Sequence, residues 1–315
     1  MSRIVVTGGG GFVGSHLCEA LLQRGDQVVA VDNFCTSRRD NVEHLLDVAG
    51  FELVVADVSE ELPVTGRVDG VLHLACPASP PEYLKMPLET LDVCSIGTRR
   101  ALDLARDNAA RFLLASTSEV YGDPLVHPQV ETYLGNVDPV GPRAVYDEAK
   151  RFAETLTMTY HRLYDLPTRI VRIFNTYGPR LRPADGRVVS NFLAQAIDGK
   201  PLTVYGSGKQ TRSFCYVDDE VRGLLALFDS DVVEPVNIGN PTEFTMLELA
   251  ALVCDVAGST AELAFEPLPV GDPTKRRPDI TRARQLLQWE PTVALRQGLE
   301  RMHAWYLEER TRGRA

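Results

Sequence analysis

The chain has 315 residues, of which 44% are hydrophobic and 24% charged, a composition typical of a folded globular protein rather than a disordered or fibrous one. Its formal charge of −10 disfavours non-specific binding to nucleic acid or to an anionic membrane, since both require a broad basic surface. No stretch approaches the roughly 18 consecutive apolar residues of a membrane span, and the N-terminus enters a strand directly, so we expect a cytoplasmic protein.

Short apolar runs alternate with helical patterns along the first part of the chain. The runs predict strands at 3–7, 27–32, 51–57, 70–75, 111–116 and 168–174. Continuous Val, Ile and Leu runs joined by long connections indicate parallel strands covered by helices on both faces. Helical spacing at 15–25 ends at Gly25, a residue type common just past a helix end. We therefore expect an α/β fold with a doubly wound, Rossmann-like parallel sheet.

A glycine-rich turn follows the first predicted strand. Gly8, Gly11 and Gly14 lie between that strand and its helix. Glycines let the backbone turn sharply and approach a pyrophosphate, whose charge is favoured at a helix N-terminus. Asp32 ends the next strand, where a carboxylate can bind a ribose diol and repel a 2′-phosphate. The pattern predicts NAD rather than NADP, although Arg38 is a nearby cation that could accommodate that phosphate.

The segment YDEAK places Tyr146 and Lys150 four residues apart, on one face of a predicted helix. An ammonium beside a phenol stabilises the phenolate, so we expect the pKa of Tyr146 below its usual value of about 10, and a positive nicotinamide ring should lower it further. A tyrosine tuned in this way acts as base for a sugar hydroxyl while hydride leaves for NAD⁺. Because Y-x-x-x-K alone is common, the catalytic prediction depends on its combination with the glycine turn and Asp32.

The regular alternation fades after about residue 174, where Pro and Gly become frequent. We assign 1–174 to an NAD-binding domain, to which 214–239 returns. Residues 175–213 and 240–315 are assigned to a smaller mixed α/β substrate domain.

Six cysteines are scattered along the chain without C-x-x-C or Cys/His ligand spacing. This pattern argues against a disulfide framework and against a metal site. We interpret the cysteines as reduced and mostly as small core residues.

Longer motifs connect the chain to a known family. It resembles the extended short-chain dehydrogenases/reductases over essentially its whole length, and within them the UDP-glucuronate decarboxylase (UDP-xylose synthase) family. The motifs are DNFCTSRRDNVEH, CPASPPEY, LLASTSEVYGDP, VGPRAVYDEAKR, RIFNTYGPR, DGRVVSNF and KRRPDI. Two departures are Cys76, where a small residue is expected, and Val145, where the family often has Cys. The resemblance implies a UDP-sugar substrate, NAD and a homodimer.

The strand end STSEVYG, residues 116–122, separates this family from its relatives. Sugar-nucleotide 4,6-dehydratases carry an Asp–Glu pair there, because they remove one proton and deliver another to a leaving hydroxyl, whereas this chain has Ser118 and Glu119. Simple 4-epimerases usually lack both carboxylates. A decarboxylase needs less acid–base chemistry, since oxidation at C4 places the substrate carboxylate β to a ketone. The resemblance therefore implies C4 oxidation, loss of CO₂, protonation at C5 and re-reduction to UDP-xylose.

The resemblance also implies roles for residues of the reactive end. Tyr146 is the base for O4, Lys150 lowers its pKa and holds the nicotinamide ribose, and Thr117 hydrogen-bonds O4. Arg276 meets the glucuronate carboxylate. Glu119 either repels that carboxylate or relays a proton through water or Ser118, and both roles stay open. The implied catalytic residues are Thr117, Ser118, Glu119, Tyr146, Lys150 and Arg276.

Cofactor and substrate contacts complete the predicted site. The cofactor-binding residues are Gly8, Gly11, Phe12, Val13, Asp32, Asn33, Phe34, Ser37, Arg38, Asp57, Val58, Leu74, Tyr146 and Lys150. The substrate-binding residues are Pro77, Tyr83, Asn175, Arg187, Val188, Asn191, Val204, Tyr205, Gln210, Arg212 and Arg276. Among the substrate-binding residues, Arg187, Arg212 and Asn175 are expected to contact the phosphates of UDP. Tyr205 and Gln210 are expected near uridine.

Several functions stay open beside this one. The chain could be a UDP-hexose 4-epimerase or a dTDP-glucose dehydratase, or it could release the 4-keto pentose together with NADH. A non-catalytic NAD-binding regulator is disfavoured by the presence of both Tyr146 and Lys150. For the homodimer, 87–108 and 144–164 are the candidate interface helices, although their apolar residues fit an internal core equally well.

Overall fold

A computed structural model describes residues 1–183, 185–268, 273 and 275–313 of the chain. The strands are β1 (Arg3–Thr7), β2 (Gln27–Asp32), β3 (Phe51–Val55), β4 (Gly70–His73), β5 (Arg111–Thr117), β6 (Thr168–Ile173), β7 (Thr176–Tyr177), β8 (Leu202–Tyr205), β9 (Thr211–Ser213), β10 (Cys215–Tyr216), β11 (Val236–Ile238), β12 (Glu243–Thr245), β13 (Leu263–Glu266) and β14 (Lys275–Arg276). The α-helices are α1 (Phe12–Gln23), α2 (Asp40–Glu43), α3 (Pro80–Lys85), α4 (Pro87–Asp92), α5 (Thr98–Asp107), α6 (Ala144–Tyr164), α7 (Val188–Ile197), α8 (Val217–Asp229), α9 (Met246–Ala257), α10 (Thr281–Leu287) and α11 (Leu295–Thr311).

Within the described residues, seven parallel strands form the central sheet in the order β3, β2, β1, β4, β5, β6, β11. The chain moves outward from β1 in one direction and then outward from β4 in the other. In such a sheet, ligands bind beyond the carboxyl ends of the strands at the point where the order reverses. The predicted doubly wound α/β fold is confirmed, and its topology places a binding crevice at the ends of β1 and β4.

Alternate side chains of each strand supply two separate cores. Ile4 and Val6 of β1 belong to the core that includes Leu17 of α1 and Leu224 of α8. Val5 lies in the core on the opposite face of the sheet, which α5 and α6 cover. Because strand side chains alternate in direction and both faces are buried, the three central positions of β1 are all apolar. This arrangement explains the unbroken Val/Ile/Leu runs of the sequence.

Element ends differ from the predicted ones by a few residues. The first helix starts at Phe12 rather than at residue 15, since Gly11 already has the extended backbone of a residue that precedes a helix. The helix ends at Gln23, and Gly25 adopts a φ of +91°, a left-handed conformation that suits glycine. The strands predicted to end at 57 and 75 stop at Val55 and His73, where the chain turns into the binding crevice.

The predicted division into two domains stays a prediction, and the strand pairing supports it. Strand β11 joins the central sheet beside β6, and α8 packs on α1, as expected if 214–239 returns to the first domain. Strands from 175–213 pair with strands from 240–315, namely β8 with β13, and β9 with both β12 and β14. No helix within the described ranges has the length and apolar character needed to cross a membrane.

Candidate active site

A cavity of about 630 Å³ runs along the carboxyl ends of the central strands. The glycine turn after β1 forms one end. The other end is formed by loops and strands of the smaller sheets, including Arg187 and Arg212. Tyr146, Glu119 and Arg276 line its middle section. Predicted cofactor residues and predicted substrate residues therefore line the same cavity.

The glycine turn forms a cradle that no side chain could share. Gly8 has a φ of +71°, and a Cβ there would lie 2.8 Å from the backbone nitrogen of Ala75. A Cβ on Gly14 would lie 2.0 Å from the carbonyl oxygen of Gly8. The backbone of the turn is thus packed directly against α1 and the segment after β4, and Gly11, Phe12 and Val13 at the start of α1 line the cavity. This geometry fits the pyrophosphate of a dinucleotide.

Asp32 is held at the end of β2 by the turn itself. Its Oδ2 accepts a hydrogen bond from the amide of Gly10 at 2.9 Å, and its Oδ1 accepts from the hydroxyl of Ser37 at 2.7 Å. Burial raises the pKa of this carboxyl, and these hydrogen bonds oppose the effect. Arg38, the cation that could have favoured NADP, donates to Asp40 at 3.0 Å. The carboxylate is placed to bind a ribose, and the nearby cation is engaged by another acid.

The structure brings nearly all predicted cofactor residues to the cavity wall. Those that line it are Gly8, Gly11, Phe12, Val13, Asp32, Asn33, Ser37, Arg38, Asp57, Val58, Leu74, Tyr146 and Lys150. Phe34 does not line it, and its predicted contact with the cofactor stays a prediction. Its ring packs over the glycine turn, where a Cβ on Gly10 would come within 2.5 Å of it, and its amide donates to Asp32 at 2.8 Å. Phe34 supports the turn from behind.

Tyr146 and Lys150 lie on the face of α6 that packs against β5, and both are buried. The lysine Nζ donates to the carbonyl oxygen of Ala115 at 3.0 Å and lies 6.0 Å from the centre of the Tyr146 ring. Thr117, the last residue of β5, lies beside Tyr146 and lowers the pKa of its hydroxyl. The helix and the strand end therefore hold the three predicted groups of the oxidation step together.

The predicted net lowering of the Tyr146 pKa is wrong for the chain by itself. Burial raises the pKa of Tyr146 above its ordinary value, and this effect exceeds the lowering by Lys150 and Thr117. The sequence pattern correctly gives the direction of the effect of Lys150. It contains no measure of desolvation, which disfavours the charged phenolate and outweighs one cation at this distance.

Glu119 lies between two arginines at the end of β5. Thr117 caps the short 3₁₀ turn Ser118–Tyr121 by accepting from the amide of Glu119 at 3.2 Å. The Oε2 of Glu119 then accepts from Arg143 at 2.6 Å and from Arg276 at 3.1 Å. Arg276 also donates to the carbonyl oxygen of Ser118 at 2.8 Å. Although burial raises the pKa of Glu119, the charges of Arg276 and Arg143 outweigh burial and hold it below its ordinary value.

Two aromatic rings and a second acid complete this cluster. Tyr83 stacks on Tyr146 with ring centres 4.9 Å apart, and its buried hydroxyl has no hydrogen-bond partner within the described part of the chain. Burial, together with the charge of Glu119, raises the pKa of Asp147 to about 7 against the effect of Arg143. The charged carboxylate of Glu119 is therefore surrounded by the unpaired hydroxyl of Tyr83 and by the ionisable side chain of Asp147.

Arg143 and Asp147 are the members of this cluster that the sequence prediction missed. A signal for Arg143 exists in VGPRAVY, since an arginine three residues before the tyrosine lies about one helical turn away from it. Arg143 lines the cavity. No sequence pattern marks Asp147, because its altered pKa depends on burial and on contacts that the tertiary fold creates.

The far end of the cavity contains most of the predicted substrate residues. The predicted substrate residues that line the cavity, in its middle section or at its far end, are Pro77, Tyr83, Asn175, Arg187, Val188, Asn191, Tyr205, Gln210, Arg212 and Arg276. Gln210 donates to the carbonyl oxygen of Tyr205 at 2.7 Å, which fixes the loop after β8. Val204 is fully buried in the core, and its predicted contact with the substrate stays a prediction. Side chains alternate along β8, and Thr203 and Tyr205 are the ones that face the cavity.

The fold and this cavity define an NAD-dependent enzyme of the Rossmann-like class. The chain belongs to the NAD dependent epimerase/dehydratase family, whose model matches residues 4–239. The cofactor is NAD, and the glycine cradle and Asp32 are the features of this chain that fit it.

Within that family, the chain groups with the UDP-glucuronic acid decarboxylases. It is 58% identical over 300 residues to UDP-glucuronic acid decarboxylase 4 of Arabidopsis thaliana, covering 95% of this chain and 67% of that protein. It is 52% identical over 307 residues to UDP-glucuronic acid decarboxylase 1 of Xenopus tropicalis, covering 98% and 72%. Among solved structures, it resembles the UDP-glucuronic acid 4-epimerase of Bacillus cereus in complex with UDP-glucuronic acid and NAD, with a TM-score of 0.86, 30% identity and 97% and 99% coverage.

Proposed function

We propose that this chain converts UDP-glucuronate into UDP-xylose and CO₂ with NAD as its cofactor. The observation that carries the proposal is the end of β5, where Glu119 lies between Arg143 and Arg276 in the same cavity as Tyr146. Two guanidinium groups suit a substrate that brings its own carboxylate. Ser118 stands where a dehydration would need a second acid. The relatives at 58% and 52% identity are UDP-glucuronic acid decarboxylases.

The first step is oxidation of the sugar at C4. NAD⁺ supplies the hydride acceptor and, once reduced, the hydride that restores the alcohol. Tyr146 accepts the proton of the C4 hydroxyl, and Thr117, which lies beside Tyr146, orients that hydroxyl. Lys150 partly offsets the effect of burial on the pKa of Tyr146, and it binds the nicotinamide ribose.

Loss of CO₂ follows because the C6 carboxylate is then β to a ketone, which accepts the electron pair as an enolate. Arg276 and Arg143 hold the carboxylate end of the sugar. Glu119 is kept ionised by these arginines, so its role is that of an anion that favours departure of a like-charged group. The proton delivered to C5 comes from water or from Ser118, oriented by Glu119, since an ionised carboxylate is not itself the donor.

UDP occupies the end of the cavity away from the glycine turn. Arg187 and Arg212 line that end, where planar guanidinium groups can make paired bonds to phosphate oxygens. Asn175 donates to a phosphate. Tyr205 and Gln210 lie on the wall at the end of β8 and in the loop that follows, and they are assigned to uridine.

A substrate comparison tests the proposal. Purified protein is incubated with NAD⁺ and with UDP-glucuronate, UDP-glucose or dTDP-glucose, and the products are separated and identified. We expect CO₂ and UDP-xylose from UDP-glucuronate alone. Conversion of UDP-glucuronate to its C4 epimer without CO₂, or turnover of a neutral sugar nucleotide in its place, would contradict the proposal. Accumulation of the 4-keto pentose with NADH would retain decarboxylation and overturn only the final reduction.

We also propose that the chain forms a homodimer through 87–108 and 144–164. Exposed apolar side chains on these two segments support the proposal. Single apolar residues are common on a protein surface, but several large ones close together are typical of an interaction site. Helix α4 packs against α6, so the two segments are neighbours in the fold. The exposed residues are Leu88, Leu91, Ile96, Phe152, Leu163 and Tyr164.

A cytoplasmic location is proposed as well. All six cysteines are free thiols, a pattern typical of a reducing compartment. Cell fractionation that recovers the protein from a secretory compartment would contradict this assignment.

A further inference from the structure

Two cysteines lie directly behind the reactive lysine. Cys76 follows β4 and lines the cavity, and Cys94 is buried in a π-helical turn, Val93–Gly97, between α4 and α5. Their Sγ atoms are 3.4 Å apart, although the residues come from different elements. Neither thiol has a role in the reaction described above. Such π-helical turns occur frequently at functional sites, and this one brings the second sulfur up to the first.

Both sulfurs interact with Lys150. The charge of the Lys150 ammonium group acts on both Cys76 and Cys94. The hydrogen bond from Cys76 and the charge of Lys150 lower the pKa of Cys94 to about 7 against the effect of burial, whereas burial and the contact with Cys94 raise the pKa of Cys76. The pair therefore shares one readily lost proton, and the thiolate is the form of cysteine that oxidants attack.

We propose that Cys76 and Cys94 form a redox modification site, at which a hydroperoxide converts the two thiols into a reversible disulfide that weakens NAD binding. Cys76 faces the cavity, so its sulfur meets the peroxide after its proton has passed along the hydrogen bond to Cys94. That sulfur attacks a peroxide oxygen and the O–O bond breaks. When the oxidant is hydrogen peroxide, a sulfenic acid forms and the departing hydroxide takes a proton from solvent to become water. Cys94 then attacks the sulfenic sulfur, the S–O bond breaks, and a second water leaves with the remaining thiol proton. Two electrons pass from the sulfurs to the peroxide.

The disulfide changes the cofactor site in two ways. Its sulfurs must come to about 2.05 Å, so the pair has to close by more than ~1 Å from the observed contact. Cys76 stands between Leu74 and Pro77, which both line the cavity, and any shift of Cys76 moves this segment. The sulfur that now interacts with Lys150 also loses its ability to carry a negative charge. Both changes affect the position of groups predicted to contact the nicotinamide and its ribose.

Peptide mapping and NAD⁺ titration test the proposal without reference to decarboxylation. Wild-type protein is treated with hydrogen peroxide, alkylated and digested with trypsin, which separates the two cysteines because Lys85 lies between them. We expect a linked pair of peptides and a fall in NAD⁺ affinity of roughly 10-fold or more, equivalent to about 1.4 kcal/mol. Dithiothreitol should remove the link and restore the affinity.

Matched variants separate this pair from general oxidation. Cys94→Ser should give no linked peptides and no loss of NAD⁺ affinity that dithiothreitol reverses. Cys254→Ser, which removes a half-buried thiol of α9, should behave like the wild type. The proposal is overturned if peroxide oxidises the exposed Cys35 without linking Cys76 to Cys94, or if the linked protein binds NAD⁺ as tightly as the reduced one.

Discussion

Glu119 and its two arginines determine what the middle of the cavity can do. Both guanidinium groups donate to the same carboxylate oxygen, at 2.6 Å from Arg143 and 3.1 Å from Arg276. Charge-assisted bonds of this kind favour the ionised acid, and they lower the pKa of Glu119 although the group is buried. A carboxylate held in this way acts through its charge. The substrate carboxylate would enter a site that already contains cations and one fixed anion.

Replacing Arg276 tests the carboxylate end of the site. Arg276→Ala removes a fully buried cation that contacts both Ser118 and Glu119. We expect decarboxylation to fall by about 100- to 1000-fold, the usual cost of losing one preorganised donor, while NAD⁺ affinity stays near the wild-type value. Single-turnover kinetics and NAD⁺ titration measure the two effects.

The neighbouring lysine supplies the control for that variant. Lys275→Ala removes an exposed cation of the same strand, β14, and should leave both measurements unchanged. Because loss of a buried ion-pair partner also destabilises a fold by about 3–5 kcal/mol, unfolding of the variant is measured alongside. Near-normal turnover by folded Arg276→Ala would show that the substrate carboxylate binds elsewhere.

Asp147 should make the stability of the protein depend on pH. Burial raises its pKa to about 7 in the folded state, whereas an aspartate in an unfolded chain titrates near 3.9. The protonated acid therefore stabilises the fold below pH ~4, and this contribution is lost as the pH rises to about 7. The amide introduced by Asp147→Asn would not ionise in this range, so the variant should gain on the order of 4 kcal/mol of stability relative to the wild type as the pH rises to about 7. Urea unfolding of both proteins at several pH values measures it, and parallel stability curves would contradict the prediction.

Individual residues were predictable from sequence where a local motif carries the chemistry. The glycine turn, Asp32, and the Tyr146 and Lys150 pair all lie in short patterns with a physical reason for their spacing. Arg143 and Asp147 act through groups that only the tertiary fold brings to them. The same limit explains the wrong sign for the pKa of Tyr146, because desolvation depends on what α6 packs against rather than on the four-residue spacing.

At the scale of elements, the β1–α1 turn leaves no space for added side-chain atoms. Gly14→Ala would place a Cβ 2.0 Å from the carbonyl oxygen of Gly8 and force the turn away from the helix. We expect a large loss of NAD⁺ affinity and lower stability, since the obstruction is backbone rather than a flexible side chain. Calorimetric titration with NAD⁺ and thermal unfolding measure these effects.

A glycine at a helix end provides the comparison. Gly258 follows α9 with a φ of +62°, and a Cβ added there would point into open space, with nothing within 4 Å. Gly258→Ala therefore meets only the left-handed backbone penalty of about 1 kcal/mol. Its NAD⁺ affinity should equal that of the wild type. If both variants lose affinity alike, the cradle is not what binds the pyrophosphate.

Elements were predicted more reliably in kind than in extent. The six runs predicted as strands are all strands of the central sheet, because burial on both faces leaves an unbroken apolar signal. Their ends shift where the chain turns into the cavity, as after Val55 and His73. Val204 shows a finer limit: the sequence of the short strand β8 does not indicate which side chains face the cavity. In the structure these are its neighbours Thr203 and Tyr205.

At the scale of the whole molecule, the proposed dimer gives a direct prediction. Phe152 of α6 is 51% exposed within the proposed interface, and Phe152→Glu would bury a charge there. We expect this variant to sediment as a monomer, because an unpaired charge is costly to remove from water. Leu125→Glu changes a residue that is 82% exposed outside both segments, and it should sediment like the wild type. A dimeric Phe152→Glu variant would place the interface elsewhere.

The most direct test of the central claim follows the reaction in deuterium oxide by proton NMR. If C4 is oxidised, CO₂ leaves from C5, C5 is protonated by a group that exchanges with solvent, and hydride returns to C4, then UDP-glucuronate and NAD⁺ should yield UDP-xylose with one deuterium at C5 and hydrogen retained at C4. Recovery of a C4-epimerised uronate without a UDP-pentose, or of UDP-xylose with no deuterium at C5, would contradict the account.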